Sequence, residues 1–262
     1  MDYKVGKYDL RDVQNVLLEM MADIDRVCKK NGIRYILDAG TMLGAVRHKG
    51  FIPWDDDLDI AMLREDYIEF TKIANKELCD KYIFQCPENT REYPYSFGKV
   101  FCKNTKFVEH FTKDLDICHG VYIDVFPMDY VDDTDMEKLK RERMLVSKFS
   151  EMRYGKLGMK GGFKGFISKL FPLKLINSLC MKHMMYHYKK SDKVQKLSHF
   201  GKNKPPISTS LFTDTIDVPF EKYEFAIPRE YDLFLRGRYG DYMKLPPIED
   251  QRPLHHIVDI EL

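Results

Sequence analysis

The run Trp54-Asp55-Asp56-Asp57-Leu58-Asp59-Ile60 sets four carboxylates within five residues. On an extended strand Asp57 and Asp59 point to one face, about 6.5–7 Å apart along the chain, while Leu58 and Ile60 point the other way into a core. Two carboxylates at 4 Å repel by about 1 kcal/mol in water and about 4 kcal/mol at an effective dielectric of 20. A bound cation cancels that penalty. Hard divalent ions such as Mg²⁺ (or Mn²⁺) prefer carboxylate oxygens and keep waters that a phosphate can replace. Tyr122-Ile123-Asp124-Val125-Phe126 offers a third carboxylate inside an otherwise apolar run. Three carboxylates on adjacent strands can hold one or two metal ions over the phosphates of a nucleotide. Residue types alone leave a solvated acidic turn after Trp54 as an equal alternative. A calcium loop of the EF-hand kind is disfavoured, because Ile60 stands where that loop needs Gly.

Upstream lies Asp38-Ala39-Gly40-Thr41-Met42-Leu43-Gly44-Ala45-Val46-Arg47-His48-Lys49-Gly50. A strand running into Gly40-Thr41 with a helix opening there presents backbone N–H groups to a phosphate, with a plain structural turn as the readier alternative for these residues alone. The spacing is not that of a Walker loop. Arg47, His48 and Lys49 precede the acidic run and supply cations to neutralise phosphate charge, with a solvated basic turn as the alternative. Lys99, in Phe97-Gly98-Lys99-Val100, sits on a strand-like run able to carry it to the same place. Arg252, His255 and His256 are further candidates, each more plainly read as part of a packed tail.

The elements that must position these groups follow from periodicity. Asp9 is placed to cap a helix from Leu10, whose apolar residues recur at helical spacing until Gly32. Ile33 to Leu37 reads as a strand, Met42 to Val46 as a short helix, Asp57 to Met62 as an alternating strand and 65 to 79 as a helix. Short β-like runs follow at 82–84, 95–101, 107–108 and 121–126. Thr134 is placed to cap a helix toward Tyr154, glycines at 155, 158, 161, 162 and 165 break it, and helical stretches continue to about Lys196. Prolines punctuate the last sixty residues, with a helix over Arg229 to Tyr239. The expected organisation is one α/β (α+β) unit over 1–262: a mixed-sheet core at about 9–130, a helical insertion at about 133–197, and a segment at about 198–262 that packs back on the core.

Strand, Gly-Thr, helix, loop and a D-h-D strand, with Asp57 sixteen positions after Thr41, is the order of a nucleotidyltransferase core. The stretch AGTMLGAVRHKGFIPWDDDLDI, Ala39 to Ile60, resembles the signature of the LicD family, which includes bacterial phosphocholine transferases and the fukutin-related proteins. GVYIDVFPMD from Gly120 and YGDYMKLPP from Tyr239 resemble it too, so the likeness spans nearly the whole chain. It implies a nucleotidyltransferase fold and transfer of a phosphate-linked group from a CDP-activated donor, such as CDP-choline, to a hydroxyl of a glycan or lipid-linked glycan. On that resemblance Asp57 and Asp59 bind Mg²⁺, Asp124 is a third ligand or the acceptor's base, and Gly40 and Thr41 contact donor phosphates. The cysteine-rich zinc insertion of the fukutin-related branch has no counterpart here, which favours the phosphocholine-type branch. Two alternatives stay open: a glycosyltransferase using a nucleotide-sugar, and a non-catalytic glycan- or membrane-binding protein on the same fold.

The bulk numbers bound the possible partners without naming one. Forty-two basic against 41 acidic side chains give a net charge of +1, with no global pull toward nucleic acid and no nucleic-acid module. The six cysteines form no C-x-x-C pair and read as reduced core residues. No apolar run of spanning length and no secretory h-region occurs, so a cytoplasmic location is expected. Residues 152–191 carry nine Lys or Arg and no Asp or Glu, interleaved with Phe163, Phe166, Ile167, Leu170 and Phe171. That stretch suits either peripheral contact with an anionic membrane or helices packed on a core with lysines in water.

Overall fold

The computed structural model describes residues 3–160, 166–187, 190–198 and 205–262. At its centre is the nine-residue strand β8 (Tyr122–Tyr130), buried along nearly all its length. β4 (Asp59–Leu63) lies parallel to it, with Asp59 opposite Asp124 and Leu63 opposite Met128. β3 (Ile36–Leu37) runs antiparallel on the far side of β4. On the other edge of β8, β6 (Gly98–Cys102) pairs with its first half, and β9 (Lys193–Gln195) pairs with Asp129 and Tyr130. β5 (Tyr82–Gln85) extends from β6, and β10 (Ile207–Ser208) from β9. The result is a seven-stranded mixed sheet, in keeping with the α+β nucleotidyltransferase expectation.

Helices cover the sheet because their apolar stripes demand it. α1 (Leu10–Asn31) buries Leu10, Val13, Leu17, Met20, Met21, Ile24 and Val27 and stops at Gly32. α2 (Ala39–His48) joins β3 to the acidic loop, and α3 (Arg64–Glu77) follows β4, burying Tyr67, Phe70 and Ala74. At the junction of β4 and α3, the guanidinium of Arg64 makes two hydrogen bonds, at 2.7 and 2.9 Å, to the carboxylate of Asp129 on β8. Both side chains are buried, so this fork clamps β8 to the start of α3.

α4 (Met136–Lys156) and α5 (Leu173–Met184) form a helical hairpin beside the sheet. Its own small core is Val131, Leu139, Val146, Cys180, Met184 and Leu197. The C-terminal part adds the β11–β12 hairpin (Thr215–Phe220 and Tyr223–Pro228), helix α7 (Tyr231–Tyr239, after the short α6 at Ser210–Thr213), and β13 (Ile257–Glu261), which pairs with β7 (Lys106–Glu109).

Several expectations shift. Asp9 holds the N-cap position of α1, but its side chain makes no capping bond, because its backbone is engaged in a small β1–β2 ladder (Lys4–Val5 with Tyr8–Asp9). Asp135, not Thr134, caps α4 by accepting the N–H of Lys138; the hydroxyl of Thr134 is turned to Asp132 instead. Residues 193–195 are a strand rather than the end of a helix, drawn into pairing by the unsatisfied edge of β8. Of the glycine breakers, Gly155 lies within α4, whereas 161, 162 and 165, with Phe163, lie outside the described residues. All six cysteines are free thiols, four of them buried. No described helix is long and apolar enough to cross a membrane.

Candidate active site

The site grows from the parallel pairing of β4 and β8. Because Asp59 and Asp124 are register partners, their carboxylates leave neighbouring strands at the same level. Asp57 precedes β4 in extended chain, and the fully buried Leu58 and Ile60 fix the alternation that turns Asp57 and Asp59 away from the core. Two backbone bonds and one to a side chain hold this strand start: Asp38 N–H to Asp59 O at 2.9 Å, Asp124 N–H to Leu58 O at 3.0 Å, and Asp59 N–H to Thr41 Oγ1 at 2.9 Å. Thr41 is buried, and its hydroxyl serves the strand that carries the acid.

At the amino end of α2, Ala39 adopts a left-handed φ of 48° and Gly40 follows. A Cβ on Gly40 would stand 2.9 Å from Asp55 Oδ2, so the missing side chain is what lets this carboxylate approach the helix start. Positive partial charge at a helix N-terminus suits an anion there. Burial, with Asp59 and Asp56 close by, pushes the Asp55 carboxyl up to about 7 despite a hydrogen bond to Asp57. Asp57 and Asp59 are pushed well above the usual carboxylate range, first by burial and then by the neighbouring acids. Asp57 nevertheless keeps 28% of its side chain exposed, so the crowded acids remain reachable from solvent.

The cations are arranged on two flanks. Lys99 is the β6 partner of Asp124, and its Nζ lies 2.8 Å from Asp124 Oδ1 and 3.9 Å from Glu109 Oε2. The ammonium rests on the ring of Tyr122, 3.3 Å from its centroid. The contact with Asp124 is an ion pair without hydrogen-bond alignment, since buried Oδ1 accepts no aligned donor. Opposite stand two residues that spacing did not reveal, Lys196 and Arg238, both paired with buried Asp38. Against the cost of burial, these two cations hold the Asp38 carboxyl at about 2. Lys196 Nζ also sits 3.4 Å above the Phe126 ring, and Arg238 Nε is buried without a partner.

Arg47 turns its guanidinium to the chain's C-terminal part, donating to Tyr242 O at 2.9 Å and to His48 Nε2 at 2.9 Å. His48 meets Trp54 edge-on, and burial together with Arg47 lowers its pKa. Lys49 is the exposed C-cap of α2; among the described residues no ion pair ties it to a carboxylate. His255 enters the site: its Nδ1 is 3.0 Å from Asp56 Oδ1, and its Nε2 is 3.9 Å from Asp57 Oδ2. Burial opposes its charge, but the Asp56 hydrogen bond and Asp57 raise it to about 9. Asp56 itself is buried and takes the N–H groups of Leu254 and His255. His256 stacks on His110 instead, and Arg252 is exposed.

Asp57, Asp59 and Asp124 are the hard oxygen donors a divalent cation takes. Asp124 Oδ1, buried and accepting no aligned hydrogen bond, has a lone pair to offer. Among the described residues no three acidic, His or Cys side chains already close into a cage. The donor chemistry fits a cation that keeps part of its water.

Comparison with known proteins bears on this geometry. A family model described as LicD/FKTN/FKRP, nucleotidyltransferase domain, matches residues 32–149, the stretch from β3 to α4. The lipopolysaccharide cholinephosphotransferase LicD of Haemophilus influenzae is 31% identical over 262 residues, covering 96% of this chain and 97% of that protein. An uncharacterized protein of Rickettsia prowazekii is 32% identical over 145 residues, covering 53% of this chain and 51% of its own. The ribitol 5-phosphate transferase FKRP of Homo sapiens is 48% identical over a 40-residue stretch, 15% of this chain and 8% of that protein. With a matching domain model and a relative aligned along nearly its full length, the chain belongs to the LicD family of transferases.

Proposed function

We propose that this protein moves a phosphocholine-type group from a CDP-activated donor to a hydroxyl of a cell-surface glycan or its precursor, with Mg²⁺ or Mn²⁺ at Asp57, Asp59 and Asp124. The observation that carries the proposal is the register of Asp59 with Asp124 across β4 and β8, with Asp57 two residues upstream and cations on both flanks. Full-length likeness to a cholinephosphotransferase favours this chemistry over glycosyl transfer. Such a cation, when bound, would polarise the donor phosphate oxygens and screen the acids from one another.

The chain's own groups do the rest. Asp59 and Asp57 are presented by a strand whose backbone is locked at Thr41 and Asp38, so they need little reorganisation. Lys196 and Arg238 are held by Asp38 with two positive charges against its one negative charge, leaving net positive charge for the CMP that departs. Asp124, next to Lys99, orients the acceptor hydroxyl and receives its proton as the oxygen attacks phosphorus in line. Gly40, at the start of α2 where the Asp55 carboxyl also sits, offers backbone N–H groups to donor phosphate, while Arg47, His48 and Lys49 stand at the far end of that helix.

The test is a panel of CDP-choline, CDP-ethanolamine and CDP-ribitol, incubated with Mg²⁺ and lipopolysaccharide or teichoic acid acceptors, with and without chelator. CMP release that needs both the metal and Asp59 is the expected result. Absence of CMP from every donor refutes the proposal, and release of a nucleoside diphosphate from a nucleotide-sugar would replace it with glycosyl transfer.

A further inference from the structure

The helical hairpin ends in a turn built inside out. Between α4 and α5, residues 166–171 form a single turn held by bonds from Lys169 N–H to Phe166 O, Leu170 N–H to Ile167 O and Phe171 N–H to Ser168 O. In water such a turn should bury its apolar side chains and expose its hydroxyl. Here Phe166 is 66% and Leu170 72% exposed, Ile167, Phe171 and Leu175 are exposed beside them, and Ser168 is only 1% exposed. Five large apolar side chains thus face solvent within ten residues, although the hairpin has a core of its own for such groups.

The charged side chains of residues 152–191 have one sign. Lys169 and Lys174 are exposed among the apolar residues, and Lys156 reaches across to the carbonyl of Lys169 at 2.7 Å, bracing the turn. Lys160 follows the end of α4, where it lies 3.7 Å from Glu151, and no Asp or Glu occurs from 152 to 191. Apolar side chains ringed by lysines, with acids excluded, match the acyl boundary and headgroups of an anionic bilayer. A protein partner would require an acidic rim around an apolar socket. A bilayer supplies both features over any area.

We propose that the tip formed by Phe166, Ile167, Leu170, Phe171 and Leu175, with Lys169 and Lys174, is a docking surface for anionic lipid membranes. The apolar side chains enter the acyl boundary while the lysines stay at the phosphates, so binding requires both. This surface shares no residue with the carboxylate site and does not rest on the transfer chemistry: a protein that binds vesicles but releases no CMP would overturn only the proposed function.

The experiment is sedimentation of the full chain with vesicles of phosphatidylcholine alone and of phosphatidylcholine with phosphatidylglycerol. The protein is expected to pellet with the anionic vesicles only. Lys169→Glu/Lys174→Glu should weaken partitioning about tenfold, and Phe166→Glu/Leu170→Glu should weaken it at least as much. Circular dichroism checks that each variant is folded. In case a charged variant fails to fold, Leu170→Trp provides an independent reading beside the single native Trp54. Its emission should shift to the blue on anionic vesicles and not on neutral ones. Failure of the unaltered chain to pellet, equal pelleting of the folded variants, or an unshifted Leu170→Trp emission would each overturn the proposal. So would conversion of a dimer to a monomer by Phe166→Glu/Leu170→Glu without any vesicle binding, which would assign the face to a second copy of this chain.

Discussion

Breaking the Arg64–Asp129 fork should cost far more than removing it whole. The two hydrogen bonds measure 2.7 and 2.9 Å, and both side chains are almost wholly buried. Charges about 4 Å apart attract by about 4 kcal/mol at an effective dielectric of 20, and desolvation of two ions consumes a similar amount. The near balance shows in the titration of the pair. Burial pushes the Asp129 carboxyl up in spite of Arg64, while Asp129 raises Arg64 against the burial that lowers it. Arg64→Met leaves a buried carboxylate alone, and Asp129→Leu leaves a buried guanidinium alone; each should lose about 3–5 kcal/mol. The double variant leaves neither charge and should lie within about 1–2 kcal/mol of the parent. Urea unfolding followed by circular dichroism, on the parent, both single variants and the double, gives the coupling directly. If the two losses simply add, to within about 0.5 kcal/mol, the fork is not the clamp described and the reasoning fails.

Asp59→Asn should abolish transfer yet raise the melting temperature of the metal-free protein, because a carboxyl pushed up by burial and by Asp57 and Asp124 opposes folding at neutral pH and an amide does not. Thermal melts in chelator check this, with a gain of about 1 kcal/mol expected and a lower melting point contradicting it. Gly120→Ala should destabilise by about 2–3 kcal/mol, since its Cβ would fall 1.9 Å from the backbone oxygen of Cys102, a contact that only a backbone shift relieves; an unchanged urea midpoint would contradict the packing described. For Asp38, a carboxyl held at about 2 against an ordinary 3.8 contributes stability that is complete above 3.8 and is lost as the pH falls through 2. The stability difference between the parent and Asp38→Asn should therefore narrow by about 1 kcal/mol between about pH 6 and about pH 3. A difference independent of pH would remove Lys196 and Arg238 from the role given them.

Local signals carried the centre of the site and little of its rim. Leu58 and Ile60 alternate with Asp57 and Asp59, and an acid stands alone in the apolar run around Asp124, so the strand faces could be read from period two. The strand itself starts only at Asp59, because Asp57 has no ladder partner. Lys196, Arg238 and His255 carry no such signal. Each is brought to its acid by tertiary docking across 158 to 200 residues, and nothing in the nearby sequence encodes that distance. Arg238 does adjoin the Tyr239-Gly240 of the family resemblance, which was its one visible hint. The β11–β12 hairpin escaped for a different reason. Pro219 and Pro228 read as turn signals but lie within strands of a two-stranded sheet, where an outward-facing position needs no N–H.

The bond between Arg238 and Asp38 joins residues 200 apart, and that between His255 and Asp56 joins residues 199 apart. Closing a loop of that length costs about 5 kcal/mol of chain entropy before any contact repays it. The acidic mouth and its cationic flank therefore belong to opposite ends of the folding sequence. β3, α2 and β4 can assemble from neighbouring residues, whereas Arg238 and His255 arrive only when the distal chain docks. Before that docking the crowded acids have Lys99 beside Asp124 but lack the counter-charges of the distal chain. Arg238 and His255 thus complete the charge balance around these acids only once the distal chain has docked.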